Sequence, residues 1–112
     1  MPTLNSSMKR GSAELAVLAV LEDRPLHGYE IARRIEQDSG GGLRFTLASL
    51  YPLLYRMEQR GWTKGAWQTT PTGVKRRCYG LTAAGVKQLA ASRREWEAFF
   101  RALNRVGGLS RA

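Results

Sequence analysis

Lys75, Arg76 and Arg77 stand in a row just after a turn signal, Pro71 and Gly73, at the start of the second of two short runs of strand character. Cations at the tip of a hairpin neutralise anionic oxygens, phosphate above all. Upstream, Thr46, Ser49, Tyr51 and Arg56 occupy the start and middle of one helical pattern. Side chains of these types reach base edges or backbone when a helix enters a major groove. Trp96 lies in an apolar helical stripe, where an indole either anchors packing or offers a platform for stacking. Catalytic chemistry finds no support. His27 is the sole histidine, with no second His or Cys at metal-ligand spacing. No G-x-S-x-G occurs, and Gly40-Gly41-Gly42 lacks the Lys-Ser/Thr of a phosphate loop. The acidic residues are scattered without evident pairing. The expectation is no active site, no metal and no cofactor.

The bulk numbers agree with an anionic partner. The chain has 112 residues, 18 Lys+Arg against 9 Asp+Glu, and a net charge of +9. Such a field attracts polyanions, mainly nucleic acid or an anionic membrane face. A merely soluble basic protein is the bland alternative. With Cys78 alone no internal disulfide forms, which suits a reducing cytoplasm; a redox role for Cys78 is left open, beside that of a half-buried strand residue. The first ten residues lack a charged start followed by an apolar block, and the longest apolar run, Leu15 to Leu21, is too short for a bilayer span. A cytoplasmic protein outside the membrane is expected.

These residues need elements to position them. Residues 1–11 read as a flexible polar tail. Ser12 is placed as the N-cap of a first helix, with Glu14 in its first turn, and Arg24-Pro25 ends it. A second helix starts around His27-Gly28, with Ile31 and Ile35 on one face, and stops at the three glycines. The third is capped by Thr46 and ended by Gly61; Leu47, Leu50, Leu54 and Met57 form its buried stripe, and Pro52 lies inside it. Strands at 62–68 and 74–81 flank the turn and make a hairpin with a basic tip, Trp62 and Trp67 packing within it. Thr82 caps a last helix whose Val86, Leu89, Trp96, Phe100 and Leu103 fall on one line, with Phe99 and Val106 beside it. Some 24 residues make a rod roughly 36 Å long. The remaining chain is too small to cover that stripe, which calls for the same helix of a second copy.

Three helices, a two-stranded hairpin and a long helix make a mainly α (α+β) fold, the winged helix-turn-helix. The expected organisation is a tail at 1–11, a winged helix-turn-helix DNA-binding domain at 12–82, a C-terminal dimerisation helix at 83–106 and a disordered tail at 107–112. DNA-binding residues are then Thr46, Ser49, Tyr51, Arg56, Lys75, Arg76 and Arg77, with Lys64 a possible addition. The dimerisation residues are Leu89, Trp96, Phe99, Phe100 and Leu103. Each part also has a plainer role: a cation run as a solvated face, Thr46 as a cap only, the tyrosines as packing. Two other functions stay open. One is a basic protein-interaction module that docks an acidic partner; the other is an RNA-binding winged helix using Tyr55 or Trp67 for stacking.

HGYEI at 27–31, SLYPLLYRMEQRGW at 49–62 and KRRCYGLTAAG at 75–85 resemble the PadR family of bacterial transcriptional regulators. The resemblance runs from about Ser12 to Val106 and is strongest for the compact subgroup with one C-terminal helix. It implies a homodimer whose last helices cross, double-stranded operator DNA with an inverted repeat as partner, and repression relieved by a small planar or hydrophobic effector. It also implies a ligand pocket at the dimer interface with Trp96 as platform and Phe100 and Arg93 nearby. Cys78-Tyr79 departs from the aromatic pair usual in the second wing strand of that family.

Overall fold

The structure is a computed structural model and describes residues 6–109, with side chains from residue 11 onward. In chain order the elements are α1 (Ser6–Val20), β1 (Leu26–His27), α2 (Gly28–Asp38), α3 (Leu47–Gln59), β2 (Thr63–Thr69), β3 (Lys75–Leu81) and α4 (Ala83–Gly107). The first helix therefore begins at Ser6 rather than after Ser12, so the expected tail is partly helical; residues 1–5 lie outside the described residues. Once a helix is nucleated on a packed segment, adding residues to its end costs little, and even Gly11 does not stop it. Glu14 consequently sits mid-helix, where it accepts from Arg60 Nη1 at 2.9 Å and ties α1 to the end of α3.

The core is the meeting of α1, α2 and α3. Val17 and Leu18 of α1 and Leu21 just after it pack with Ile31 and Ile35 of α2 and with Leu50, Leu53, Leu54 and Met57 of α3. On α3 the buried set follows i, i+3, i+4, i+7 from Leu50, the natural stripe of an amphipathic helix. Leu47, expected in that stripe, is 38% exposed because it occupies the first turn, which projects beyond the core, and Leu53 is buried instead. The helix continues through Pro52 to Gln59. Between α2 and α3 the chain reverses at Gly40 and Gly41, both with left-handed φ (62° and 83°), a conformation that only glycine adopts cheaply.

The sheet is antiparallel with strand order β1-β3-β2. β1 is a strand the sequence pattern missed: two residues, Leu26 and His27, opposite Tyr79 and Cys78. In the hairpin Thr63 faces Leu81, Trp67 faces Arg77 and Thr69 faces Lys75. The connecting turn closes with Thr70 N–H donating to Val74 O at 2.8 Å, and Gly73 supplies a φ of 86°. The Thr82 side chain accepts from Gly85 N–H at 3.0 Å, capping α4 as expected.

The last helix leaves the body part-way along its length. Leu89 is 2% exposed and belongs to the core of its own chain, so it is withdrawn from the expected dimerisation residues. Val86, placed on the same line, is exposed. At α4 residue 93 a fork closes onto the α1–β1 turn: Arg93 Nη1 and Nη2 donate to the two Glu22 oxygens at 3.1 and 3.0 Å. Further out, Phe99, Phe100, Leu103 and Val106 are exposed. Helix α4 ends on Gly108 in the left-handed conformation, one residue later than expected, and residues 110–112 lie outside the described ones. The molecule is accordingly elongated, 53 × 29 × 25 Å.

Candidate nucleic-acid interface

The N-terminus of α3 is built by two hydroxyls. Thr46 Oγ1 accepts from Ser49 N–H at 3.1 Å, and Ser49 Oγ donates to Thr46 O at 2.9 Å. Both side chains are exposed and keep lone pairs for another donor. From this end an exposed strip runs along the helix through Leu47, Ala48, Tyr51, Pro52 and Tyr55. Gly28, at the start of α2, is what lets Tyr51 lie down on that helix: a Cβ there would fall 2.8 Å from the Tyr51 hydroxyl. Tyr51 is thus both packed at one edge and open on the other.

The wing comes to the same place. His27, Tyr29, Tyr51, Trp67, Lys75 and Arg76, together with Arg77 and Tyr79, line one cleft of about 480 Å³ between α2, α3 and the hairpin. His27 holds its own end of α2 by a reciprocal cap, its Nδ1 accepting from Glu30 N–H and its backbone N–H donating to the Glu30 carboxylate, each at 3.3 Å. Its Nε2 lies 2.8 Å from Arg76 Nη1. Lys75 and Arg76 are exposed, as is Lys64 on β2.

Three of the expected contacts stand differently. Arg77 points inward: its Nη2 donates to Glu58 Oε2 at 2.8 Å, and its guanidinium lies 5.9 Å from both the Trp67 and Tyr79 ring centres. Residues alternate across a strand, so Arg76 and Arg77 take opposite faces of β3, as the alternation in the sequence implies. Arg56 is on a different side of α3 from Tyr51. It lines a cleft of about 430 Å³ with Ser12, Leu43, Phe45 and Leu53, and its Nε is buried with no hydrogen-bond partner. Trp67, expected to pack in the wing, is 67% exposed, whereas Trp62 packs against the core beneath the Arg60 guanidinium, 5.0 Å away. Sequence reasoning missed Glu58 and the role of Gly28; each acts on a residue distant in the chain.

A second constellation lies on α4. The Trp96 ring meets Phe99 edge-on at 5.8 Å and Phe100 tilted at 5.6 Å, and Gly11 of α1 lies beside it. Arg93, expected to line the same pocket, is engaged with Glu22, which raises the Arg93 pKa and lowers that of the Glu22 carboxyl. On the wing, burial pushes the Cys78 thiol above its ordinary range, against the direction a reactive thiolate needs; its Sγ donates to Gln68 Oε1 at 3.3 Å. Among the described residues no cluster of His, Cys, Asp or Glu could hold a metal ion, and no helix is long and apolar enough to cross a membrane.

Residues 17–91 match the model of the PadR-like transcriptional regulator family, about two-thirds of the chain. The chain belongs to that family. A transcriptional regulator from Clostridium thermocellum is 25% identical, with a TM-score of 0.80 over 92% of this chain and 97% of its own. A PadR-like transcriptional regulator from Bacillus cereus is 26% identical, with a TM-score of 0.76 over 90% of this chain and 96% of its own. A structure from Thermoplasma acidophilum, 24% identical with a TM-score of 0.80, covers 94% of this chain and 99% of its own and supports the fold. PadR-like proteins are DNA-binding regulators of transcription rather than enzymes, and the winged-helix fold expected from the sequence is the one found. The family match takes in α2, α3 and the whole wing, but ends before Trp96.

Proposed function

We propose that this PadR-like protein is a homodimeric repressor that binds an inverted-repeat operator through α3 and the wing. The observation that carries the reading is the single cleft in which Tyr51 of α3 and Lys75 and Arg76 of the wing converge. Tyr51, with Thr46 and Ser49 at the helix start, is suited to base edges; Lys75 and Arg76 are suited to phosphates on the flank. Dimerisation is supported by the bare apolar face of α4, Phe99, Phe100 and Leu103. Two copies would then present their reader helices to half-sites about 34 Å apart.

The test is the salt dependence of duplex binding. Arg76→Ala should weaken binding to every sequence and lower the slope of log affinity against log salt by about 0.9, the signature of one lost phosphate contact. A slope identical to that of the parent would remove the wing from the interface.

Relief by a small effector is part of the same proposal. Trp96 with Phe99 and Phe100 makes an aromatic cluster on the outer half of α4, suited to a planar apolar molecule. A planar aromatic dye should quench tryptophan emission in the parent and leave that of Trp96→Ala unchanged while the variant remains dimeric. Equal quenching in both would exclude Trp96 as the platform.

A further inference from the structure

Glu58 stands where two electrostatic arguments oppose it. It is in the last turn of α3, at the negative end of the helix dipole, and on a protein that binds a polyanion it lines a second cleft with Tyr51, Tyr55 and Arg77. An acidic residue in that place weakens attraction to DNA unless it has other work. The contacts show what that work is. Glu58 Oε2 accepts from Arg77 Nη2 at 2.8 Å and also from the Gly65 backbone N–H at 3.2 Å, so one oxygen of the reader helix holds both strands of the hairpin.

The guanidinium on the other side has partners of its own. It lies against the Trp67 and Tyr79 rings and directly over Gly65, where a Cβ would be 2.6 Å from Arg77 Nε. Gly65 has no side chain because the Arg77 plane occupies that space. A lone ion pair at about one-third exposure would contribute little. This pair adds a backbone amide, a cradle shaped to the guanidinium and the ring of buried Tyr79.

We infer that Glu58 and Arg77 are positioning residues for DNA binding, a junction that sets the angle of the wing to the reader helix so that Lys75 and Arg76 meet phosphate while α3 meets bases. Arg77 in this role does not touch DNA. The inference rests on the proposed wing contact, and it predicts a sign that simple charge counting reverses: removing the negative charge of Glu58 weakens binding.

The experiment uses the full chain and a labelled duplex of mixed sequence at low salt. Glu58→Leu should lower affinity on the order of tenfold and reduce the salt slope by up to about 1.8, as both Lys75 and Arg76 lose their register. Arg77→Ala in the Glu58→Leu background should cost little more. Affinity equal to or tighter than the parent, with an unchanged melting temperature, overturns the junction. Gly65→Ala is the second variant; it displaces the guanidinium with both charges retained and should weaken binding in the same direction. Hydrogen exchange of the Gly65 amide, measured without DNA, should quicken in Glu58→Leu, and unchanged protection also overturns the inference. A parent protein that binds no duplex would instead refute the proposed function, while the Gly65 amide still reports on the junction.

Discussion

Gly85→Ala is expected to lose a large share of the stability of the fold, although it adds a single methyl group. Gly85 is buried in the first turn of α4, and a Cβ there would overlap the Trp62 carbonyl oxygen. That oxygen cannot step aside. It accepts from the Thr82 N–H at 3.1 Å and from Thr82 Oγ1 at 3.1 Å, and the next residue, Thr63, is paired to Leu81. The glycine therefore permits the start of the last helix to sit directly on the connection between α3 and β2. Overpacking against fixed backbone costs about 3 kcal/mol or more. At roughly 4–8 °C per kcal/mol for a domain of this size, the melting temperature should fall by at least about 12 °C in a circular-dichroism melt. Gly80 provides the contrast, since a Cβ there would meet only the Pro25 ring at 3.4 Å. A Gly85→Ala melt within a few degrees of the parent would mean that α4 does not start on the Trp62 carbonyl.

Phe100→Asp should convert the proposed dimer to a monomer. Within one chain Phe100 is 56% exposed, stands outside the buried core and meets the Trp96 and Phe99 rings, so an aspartate there leaves the protomer core intact. In the proposed dimer the same position lies in an apolar seam and appears twice, once from each copy. A central interface aromatic contributes about 2 kcal/mol or more, and burying a carboxylate adds to the loss. Two such sites correspond to at least about a thousandfold weaker association. Light scattering across a dilution series reads this directly, with the melt of the isolated protomer as control. A variant that stays as dimeric as the parent would move the interface away from the outer half of α4.

What the sequence made legible follows from the range of each signal. Thr46, Thr82 and Gly73 act within a few residues, so the two caps and the wing turn could be placed from local chemistry alone. Helix periodicity identified the face of α3 that turns inward, but not how far the core extends along it, and Leu47 was therefore exchanged for Leu53. On α4 periodicity put Leu89 and Phe100 on one line; only the fold decides that the former meets its own chain and the latter does not. β1 was invisible because two residues carry no pattern, and their pairing depends on where β3 lies. The candidate site was legible as a set of residue types. It was not legible as geometry: Glu58 with Arg77 and Glu22 with Arg93 are contacts between elements, and no spacing announces them.

The placement of β3 in the middle of the sheet has a mechanical consequence. At its root, around Cys78 and Tyr79, it is bonded to a neighbour on each side, whereas towards Lys75 only β2 remains. The hairpin is thus a cantilever, stiff where it leaves the body and compliant towards Gly73. Its span is about 23 Å, set by seven residues of strand rather than by loop closure. Lengthening or shortening that lever by a residue pair would shift where the cations land along a duplex in the proposed complex, without altering α3.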